Sequence, residues 1–441
     1  MRGIRICLTA LLMIVVAALP CHVRGQQAQK LDRFALERAH LMLQSVYDEV
    51  HDHYYDPTFH DVDLKAAYHK YDKIMDSAQS VNATFRVIAA FLQELHDSHT
   101  FFMPPQRVNP STPGFAIEMV GDQCFVTRIR PGSDAAKKLH VGDQVLALDG
   151  YKVTRQDYDP LYYFIQILSP APTETVAVRS PDGAVRQETV QSMWRSGKAV
   201  LNLFGADGGD FWNIVREGEQ EDHLNRERTT VVDDVLIWKM PSFVADQDMV
   251  DSAISKARKH KALVLDLRGN PGGAVDTLKR MISKVFDHPV PLYTEVSRKE
   301  SKKETVKPKG SPFTGKLIVL VDSRSASAAE LFARVIQLEH RGEVIGDRSS
   351  GMVMEARHYG ESLGMGISIN YGVSITSANL LMSDGKSIEH VGVTPDELML
   401  PTAQDLAAGR DPVMSHAVAL AGAKLDPVAA GKLFPFEWPR L

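Results

Sequence analysis

The stretch from Leu263 to Gly273 (LVLDLRGNPGG) decides the fold, because a short apolar run ends there in a glycine-rich turn. A second apolar run, from Leu317 to Val321, ends in a serine-rich turn from Asp322 to Ser327 and continues into Ala328 to Glu330. Each pattern predicts a strand, a turn and a helix. Glycine lets backbone N–H groups approach a ligand closely, and the first N–H groups of a helix have no partner within it. Two such turns can supply a nucleophile and an oxyanion cradle, although plain glycine and serine caps give the same pattern in α/β proteins.

The length of 441 residues predicts about three domains with ample chain to bury a core, and the composition is that of a soluble globular protein. The formal net charge is −5, with both signs interspersed along the chain. This distribution provides no basic stripe for nucleic acid and no polybasic patch for anionic lipid. We therefore expect no nucleic-acid partner.

Residues 1–25 predict an export signal. Two arginines precede an apolar run from Ile6 to Leu19, and Val23 to Gly25 has the small-residue spacing of a signal peptidase site. The run is short for a bilayer span, which disfavours an uncleaved anchor, and the proline before Cys21 makes a poor lipoprotein acylation box. We expect an exported protein in the periplasm, the cell envelope or outside the cell, with no stable membrane span after signal cleavage. Cys124 would then be the only thiol, so no intramolecular disulfide is expected.

The region 26–109 is predicted to be helical, because apolar residues recur at helical spacing from Leu31 to Leu95. Asn82 is expected to cap the last of these helices. That helix runs directly into the polar segment from His96 to Thr100 (HDSHT) before two prolines end the pattern. A polar tip on an apolar helix is a suitable place for a site.

The region 110–191 contains the loop at Gly114, Phe115, Ala116 and Ile117, the turn at 131–133 (PGS), and a strand with its flanking turns at 141–150 (VGDQVLALDG). Together these features resemble a PDZ domain, in which the first would be the loop that receives a peptide carboxylate. In a PDZ domain, an edge strand pairs with an added peptide strand while backbone donors hold the terminal carboxylate. The resemblance therefore implies peptide or protein partners that are recruited through their carboxyl-terminal tails.

Strands and helices are predicted to alternate through the region 231–400. Strands are expected near Val235, Leu263, Leu317 and Val344, with helices between them. This alternation indicates right-handed crossovers and a mostly parallel sheet. The two turns then lie at the carboxyl ends of strands, where α/β sheets place their ligands. The segment 192–230 is a connection to which the sequence assigns no structure, and 401–441 is predicted to be a carboxyl-terminal tail.

Three separated motifs stand out, namely the stretch 263–273, the turn 325–330 (SASAAE) and the stretch 385–396 (GKSIEHVGVTPD). Together they resemble the carboxyl-terminal-processing and tricorn-like serine proteases, a tail-specific protease family with a PDZ domain. The order of helices, PDZ domain and catalytic core also agrees with that family. The resemblance implies a multidomain α/β protein with a helical amino-terminal region, a PDZ-like β module and a tricorn or ClpP-crotonase-like α/β catalytic core. It implies a serine endopeptidase that needs no cofactor.

Carried over onto this sequence, the family nucleophile falls on Ser327, with Ser325 as the one-step alternative. The oxyanion donors fall on the backbone N–H of Ala328 together with that of Gly272 or Gly273. Removal of one such donor typically lowers the rate by about a hundredfold to a thousandfold.

One branch of the family activates its serine with a lysine, but Met352 occupies that position here and excludes a Ser-Lys pair. The tricorn-like branch uses an adjacent Ser-His pair and a glutamate, and the matching residues are Ser98, His99 and Glu389. A serine hydroxyl is a weak nucleophile at neutral pH and needs a base, which imidazole supplies. We therefore expect His99 to be the base, with Ser98 and Glu389 orienting the ring and supporting the imidazolium.

Other kinds of site are disfavoured. The scattered histidines of the helical region do not have metal-ligand spacing, so no metal is expected. The prediction is an exported serine endopeptidase whose PDZ domain recruits substrates. The alternative is a catalytically inactive, PDZ-containing peptide-binding scaffold.

Overall fold

The computed structural model describes residues 31–105, 111–194, 226–244, 247–363 and 369–438. The export signal predicted over 1–25 and most of the connection at 192–230 lie outside these ranges. Among the helices within them, none combines the length and the apolar character that crossing a bilayer requires.

Three packed helices form the amino-terminal region, as predicted. They are α1 (Arg33–His53), α2 (Leu64–Met75) and α3 (Val81–Gln93), with a 3-10 turn at Phe59–Asp61. The predicted cap at Asn82 is wrong. Asn82 lies inside α3, whereas Ser80 has the extended backbone of a cap and its Oγ accepts from the Ala83 N–H at 3.2 Å.

A PDZ-like β module follows two short strands, β1 (Phe101–Met103) and β2 (Ser111–Thr112). Its strands are β3 (Phe115–Val120), β4 (Gln123–Ile129), β5 (Gln144–Leu148), β6 (Tyr151–Lys152), β7 (Thr173–Arg179) and β8 (Val185–Gln191). They pair in the order β3-β4-β5-β7-β8, with β6 beside β5. The module also contains α4 (Ala135–Lys138), α5 (Tyr158–Tyr162) and a π-helical turn at Tyr163–Leu168. After β8, β9 (Met193–Trp194) pairs with β2.

The α/β core contains two sheets. Its strands are β10 (Arg228–Val232), β11 (Val235–Lys239), β12 (Ala262–Asp266), β13 (Val290–Ser297), β14 (Ser301–Val306), β15 (Lys316–Val321), β16 (Glu343–Gly346), β17 (Met354–Leu363), β18 (Ile369–Leu381) and β19 (Glu397–Leu398). The first sheet has the order β10-β11-β12-β15-β16-β19 and is parallel from β11 onward, which confirms the predicted parallel sheet. The consecutive strands β11 and β12 are joined through a helix, as a parallel connection requires.

Helices cover both faces of the parallel sheet. One face packs against α6 (Gln247–Ala257), α7 (Val275–Val285) and α8 (Ala328–Leu338). The other face packs against α10 (Pro412–Leu420) and α11 (Pro427–Ala430), which follow α9 (Ala403–Ala407). The carboxyl-terminal region is therefore part of the core rather than an appendage.

The second sheet is antiparallel and joins the amino-terminal helices to the core. Its strands pair in the order β1-β18-β13-β14, with β17 on β18. Strand β1 pairs with β18 so that Phe102 lies opposite Val373, and both side chains are buried with the amino-terminal helices. Because β1 begins directly after the polar segment from His96 to Thr100, this pairing fixes that segment against the core.

The PDZ-like module is docked against the serine-rich turn. The Glu118 carboxylate accepts from Arg128 at 2.7 Å within the module and from Arg324 of the turn at 2.9 Å. The Ser323 hydroxyl donates to the Met119 carbonyl of β3 at 2.6 Å. The module and the turn therefore share a polar interface a few residues before Ser327.

The last described residues bridge the same two parts of the molecule. Arg228 of β10 lies over the Phe434 ring at 5.4 Å and donates to the Pro435 carbonyl at 2.7 Å. Arg128 of β4 lies over the Phe436 ring at 4.5 Å. Contacts of a cation with an aromatic face are attractive, so this segment ties the PDZ-like module to the core.

Candidate active site

The glycine-rich turn after β12 is held in shape by two polar side chains. The Arg268 guanidinium is shared between Asp266 at 2.9 Å and Asp411 at 2.8 Å. The Asn270 side chain is fully buried, and its Oδ1 accepts from the Gly272 N–H at 2.8 Å. Buried polar groups with all their partners in place rigidify a structure, so these side chains fix the backbone of the turn.

Gly272 lies directly against the predicted nucleophile. Its φ of 92° is in the left-handed region that favours glycine. A Cβ atom at this position would lie 2.7 Å from the Ser327 Cβ and 2.9 Å from the Ala328 nitrogen, too close for any other residue. Gly273 follows with φ 142° and bridges to the backbone of Phe243. The structure thus brings together the predicted nucleophile and the predicted oxyanion residues.

Ser327 begins α8 with a strained backbone. Its φ of 53° and ψ of −119° lie outside the regions that serine ordinarily populates. Such a conformation costs about 1–3 kcal/mol and persists where its surroundings enforce it. Here the Ser327 N–H donates to the Met352 carbonyl at 2.9 Å and to Glu330 Oε2 at 3.0 Å.

Ser325, the alternative nucleophile, has a different environment. It is fully buried, and its hydroxyl donates to the Leu267 carbonyl at 2.8 Å. The same oxygen accepts from the Asp322 N–H at 3.0 Å. Ser325 therefore braces the turn, whereas Ser327 is half-buried beside Gly272.

Glu330 is a fully buried carboxylate in the first turn of α8. Its Oε2 accepts from the N–H groups of Ser327 and Met352, both at 3.0 Å. Its Oε1 accepts from the Gly351 N–H at 2.7 Å and from the Ser349 hydroxyl at 2.5 Å. Burial raises the pKa of Glu330 to about 7, although its four donors favour the carboxylate. Glu330 thus fastens the loop at 349–352 to the turn that carries Ser327.

Ser98, His99 and Glu389 form one hydrogen-bonded row. The Ser98 Oγ lies 2.7 Å from His99 Nδ1 and 3.0 Å from Glu389 Oε2. The Ser98 N–H donates to the other carboxylate oxygen at 2.8 Å. The fold therefore brings together three predicted residues from opposite ends of the described chain.

The row also fixes which nitrogen of His99 carries the proton. A serine hydroxyl has one proton, and Ser98 gives it to Glu389. The Ser98 oxygen can then only accept from His99, so Nδ1 is the protonated nitrogen. The Nε2 lone pair is left to accept a proton from another group.

A single peptide group connects this row with Ser327. The Met352 carbonyl accepts from the Ser327 N–H at 2.9 Å, and the N–H of the same peptide, on Val353, donates to Glu389 Oε2 at 2.7 Å. The two groups of one planar peptide have a fixed separation. The Ser327 nitrogen is therefore within about 8 Å of the Glu389 carboxylate.

The surroundings of His99 favour a neutral ring. Burial lowers the pKa of His99, and the positive charge that His358 can carry lowers it further. The Glu389 and Asp97 carboxylates oppose this shift but do not cancel it. At neutral pH the imidazole is therefore in the form that accepts a proton.

The predicted carboxylate loop begins at Gly114, whose φ of 76° favours glycine. Phe115 and Ile117 are buried in the module, and Ala116 is half-buried. The Ile117 carbonyl already accepts from the Tyr158 hydroxyl at 2.7 Å. An added peptide strand would need that carbonyl, so strand addition at β3 requires Tyr158 to move.

Two histidines of the amino-terminal region have partners outside this row. His40 contacts Asp72 at 2.5 Å, and the His60 ring contacts the Leu95 carbonyl at 2.7 Å. Across the part of the chain that the structure describes, no group of three or more His, Cys, Asp and Glu side chains has an arrangement suited to a metal ion.

Two carboxylates of this region received no role from the sequence, namely Glu330 and Asp97. Glu330 follows Ser327 by three residues, which is the spacing of a helix capping box and a signal of its contact with the Ser327 N–H. Its contacts with the loop at 349–352 join segments about twenty residues apart, and no spacing in the sequence indicates them. Asp97 accepts four hydrogen bonds, and two of them come from Tyr54 and Thr376, which are distant in sequence.

Replacement of Glu330 tests its fastening role. Glutamine keeps the size of the side chain but presents an NH₂ group to hydrogen-bond donors, and each buried donor that loses its partner costs about 1–3 kcal/mol. We expect Glu330→Gln to lower the free energy of unfolding by about 2–4 kcal/mol in urea titrations. The matched control is Glu339→Gln at the other end of α8, where a half-exposed residue should change stability by less than about 0.5 kcal/mol. Equal stability of the two variants would contradict the role.

Three segments of the chain match known domain families. Residues 37–93 match the tricorn protease C1 domain, residues 104–159 match the PDZ domain, and residues 234–399 match Peptidase family S41. The last segment contains Gly272, Ser327 and Glu389, and His99 lies between the first two.

The names of two relatives describe processing and tail-specific proteases. The carboxy-terminal processing protease CtpA of Bacillus subtilis (strain 168) is 32% identical over 151 residues, which cover 34% of this chain and 30% of the relative. The tail-specific protease of Haemophilus influenzae (strain ATCC 51907 / DSM 11121 / KW20 / Rd) is 27% identical over 283 residues, which cover 59% of this chain and 37% of the relative. The chain thus spans less than half the length of these two relatives.

A solved structure shares the fold. Mature CPAF complexed with lactacystin superposes with a TM-score of 0.62 at 16% identity, covering 85% of this chain and 96% of that chain. A likeness at this identity concerns the fold alone. Together with the matched segments, it confirms the predicted multidomain α/β architecture of helical region, PDZ-like module and catalytic core. The chain therefore combines a PDZ domain with the catalytic domain of peptidase family S41.

Proposed function

We propose that this protein is a serine endopeptidase in which Ser327 attacks the peptide bond and His99 acts as its base. The observation that carries the proposal is the position of the Ser98 hydroxyl, 3.0 Å from Glu389 and 2.7 Å from His99 Nδ1. A base that is oriented by a third group is what a nucleophilic serine needs. The neutral His99 ring keeps its Nε2 lone pair for the serine proton.

The proposed reaction has two halves. The Ser327 oxygen adds to the carbonyl carbon while His99 takes the hydroxyl proton, and the imidazolium then protonates the leaving amine as the C–N bond breaks. In the second half, water attacks the acyl carbon while His99 takes a proton from it. The imidazolium then returns that proton to the Ser327 oxygen as the bond to the acyl group breaks. The Ser98 hydroxyl lies between the imidazolium and the Glu389 carboxylate and passes the stabilisation of that charge from one to the other.

The proposed oxyanion donors are the backbone N–H groups of Ala328 and Gly273. Ala328 is the first residue of α8, and the first N–H groups of a helix have no acceptor within it. The Gly272 N–H is already donated to Asn270, so Gly273 is the better donor from the glycine-rich turn. Gly272 contributes by its missing Cβ, which allows this turn to approach Ser327.

Met352 supports histidine as the base. Its thioether cannot take a proton at neutral pH. Met352 occupies the position at which the lysine branch of the carboxyl-terminal-processing proteases has its base. Its main chain is nevertheless used, because the carbonyl accepts from Ser327 and the N–H donates to Glu330. The position keeps a structural role without supplying a base.

We propose that the substrates are peptides or proteins with accessible carboxyl-terminal tails. The support is the PDZ match and the names of the relatives, which describe carboxy-terminal processing and tail-specific proteases. Uptake at Gly114 to Ile117 by strand addition would displace the Tyr158 hydroxyl from β3. The export signal at 1–25 and the predicted region boundaries stay predictions.

Labelling by an alkyl fluorophosphonate tests the catalytic proposal without a known substrate. The Ser327 oxygen forms the bond to phosphorus, the P–F bond breaks, and His99 takes the hydroxyl proton. We expect stoichiometric labelling at Ser327 by peptide mapping, none in Ser327→Ala, and a rate at least a hundredfold lower in His99→Ala, because the two residues act as one unit.

The control for this experiment is Met352→Ala, which should label within about threefold of the wild-type rate because the substitution keeps the backbone contacts. A wild-type chain that folds but does not label would favour the inactive scaffold. Normal labelling of His99→Ala would exclude His99 as the base.

Calorimetry tests the proposed tail site. A peptide with an apolar carboxyl terminus should bind at least about tenfold more tightly as the free acid than as the amide, because charge-assisted hydrogen bonds are lost in the amide. Tyr158→Phe should tighten binding, since it releases the Ile117 carbonyl, whereas Tyr162→Phe on the exposed side of α5 should not. Equal affinity for the acid and the amide would contradict the carboxylate loop at Gly114 to Ile117.

A further inference from the structure

Asp97, next to the proposed catalytic pair, accepts four hydrogen bonds. Its Oδ1 accepts from the His99 N–H at 2.9 Å, the Thr100 N–H at 2.7 Å and the Thr376 hydroxyl at 2.6 Å. Its Oδ2 accepts from the Tyr54 hydroxyl at 2.8 Å. One carboxylate therefore holds the backbone of the His99 turn and two side chains from other elements.

The two long-range donors come from rigid parts of the molecule. Tyr54 directly follows α1 and is fully buried, and Thr376 lies in β18 and is also fully buried. Thr100 is 4% exposed, and its hydroxyl donates to the Thr376 hydroxyl at 3.2 Å. Asp97 thus fixes the turn against the helical region and the antiparallel sheet together.

We propose that Asp97 is a positioning residue that holds the His99 backbone so that the ring meets Ser98. Two successive N–H groups on one carboxylate oxygen define the turn at 97–100, and the direction of the His99 side chain follows from it. The inference rests on the proposed role of His99 as base. The hydrogen bonds of Asp97 go to backbone N–H groups and to two hydroxyls rather than to the His99 ring or the Ser327 hydroxyl.

Asp97 also acts on the charge of the His99 ring. The titratable groups that face His99 are Glu389 from the loop after β18, His358 from β17 and Asp97 from its own turn. Both carboxylates raise the pKa of His99 against the effect of burial. Geometry and charge can be separated, because asparagine keeps Oδ1 as an acceptor and removes the charge.

The experiment measures the rate of fluorophosphonate labelling of the full chain as a function of pH. Asp97→Ala loses all four acceptor contacts and should label at least tenfold more slowly at pH 8. Asp97→Asn keeps the contacts to the turn and can donate to the Tyr54 oxygen, so its rate should fall less than fivefold. The rise of its rate with pH should also have a lower midpoint than in the wild type, because a negative charge near the imidazolium is gone.

Three further variants keep the inference falsifiable. Asp63→Ala removes an exposed carboxylate that caps α2 through the Ala66 N–H, and it should label at the wild-type rate. Tyr54→Phe and Thr376→Val each remove one donor to Asp97, and each should reduce the labelling rate by about two- to fivefold. These two variants test the same role if Asp97→Ala fails to fold.

The outcomes separate this inference from the proposed function. Equal losses in Asp97→Asn and Asp97→Ala, or a wild-type rate in Asp97→Ala, would overturn the positioning role while His99→Ala remained inactive. Wild-type rates in both Tyr54→Phe and Thr376→Val would do the same. A wild-type rate in His99→Ala would instead overturn the proposed function.

Discussion

The Ser98 hydroxyl has a single proton, and its destination determines the state of the proposed base. Because Glu389 takes that proton, Ser98 can only accept from His99, and the ring keeps its lone pair on Nε2. Glu389 is fixed in turn by the N–H groups of Ser98 and Val353. The pairing of β1 with β18 holds the Ser98-His99 segment against the strand that precedes Glu389, and the Val353 N–H joins the third segment to the Glu389 carboxylate.

The proposed nucleophile is held by a second set of contacts that meets the first at one peptide. Glu330 and the Met352 carbonyl both accept from the Ser327 N–H, in a backbone conformation that serine rarely adopts. The peptide between Met352 and Val353 also contacts Glu389. A side chain that cannot act as a base therefore occupies a position whose backbone links the nucleophile with the carboxylate. A methionine at this position is therefore compatible with the proposed Ser-His mechanism.

Much of the fold was predictable because the strongly apolar elements have clear periodicity. The strands β11, β12 and β15 and the helix α8 are buried runs bounded by turn residues. The antiparallel sheet was not predicted, since β14 is largely exposed and β17 alternates only weakly between exposed and half-buried residues. Such strands owe their structure to partners far along the chain rather than to their own hydrophobic pattern.

The candidate site also has a part that was predictable from the sequence and a part that was not. Ser98, His99, Ser327 and Glu389 were identified by resemblance, and the structure brings Ser98, His99 and Glu389 into contact. The contacts of Glu330 with its loop, of Tyr158 with β3 and of Asp97 with two other elements were not predicted. Each of these joins segments that are distant in sequence, and sequence spacing has no information on such pairs beyond a local capping signal.

The most direct test of the account is the pH dependence of Ser327 labelling by the fluorophosphonate. Burial lowers the pKa of His99, so the neutral base is lost only when the pH falls below the ordinary histidine value of about 6.5. With His99 as the base, we expect a labelling rate that rises through a single midpoint at or below that value and is constant through neutral pH. A rate that is negligible at neutral pH and rises only above about pH 9, as a lysine base would produce, would contradict it.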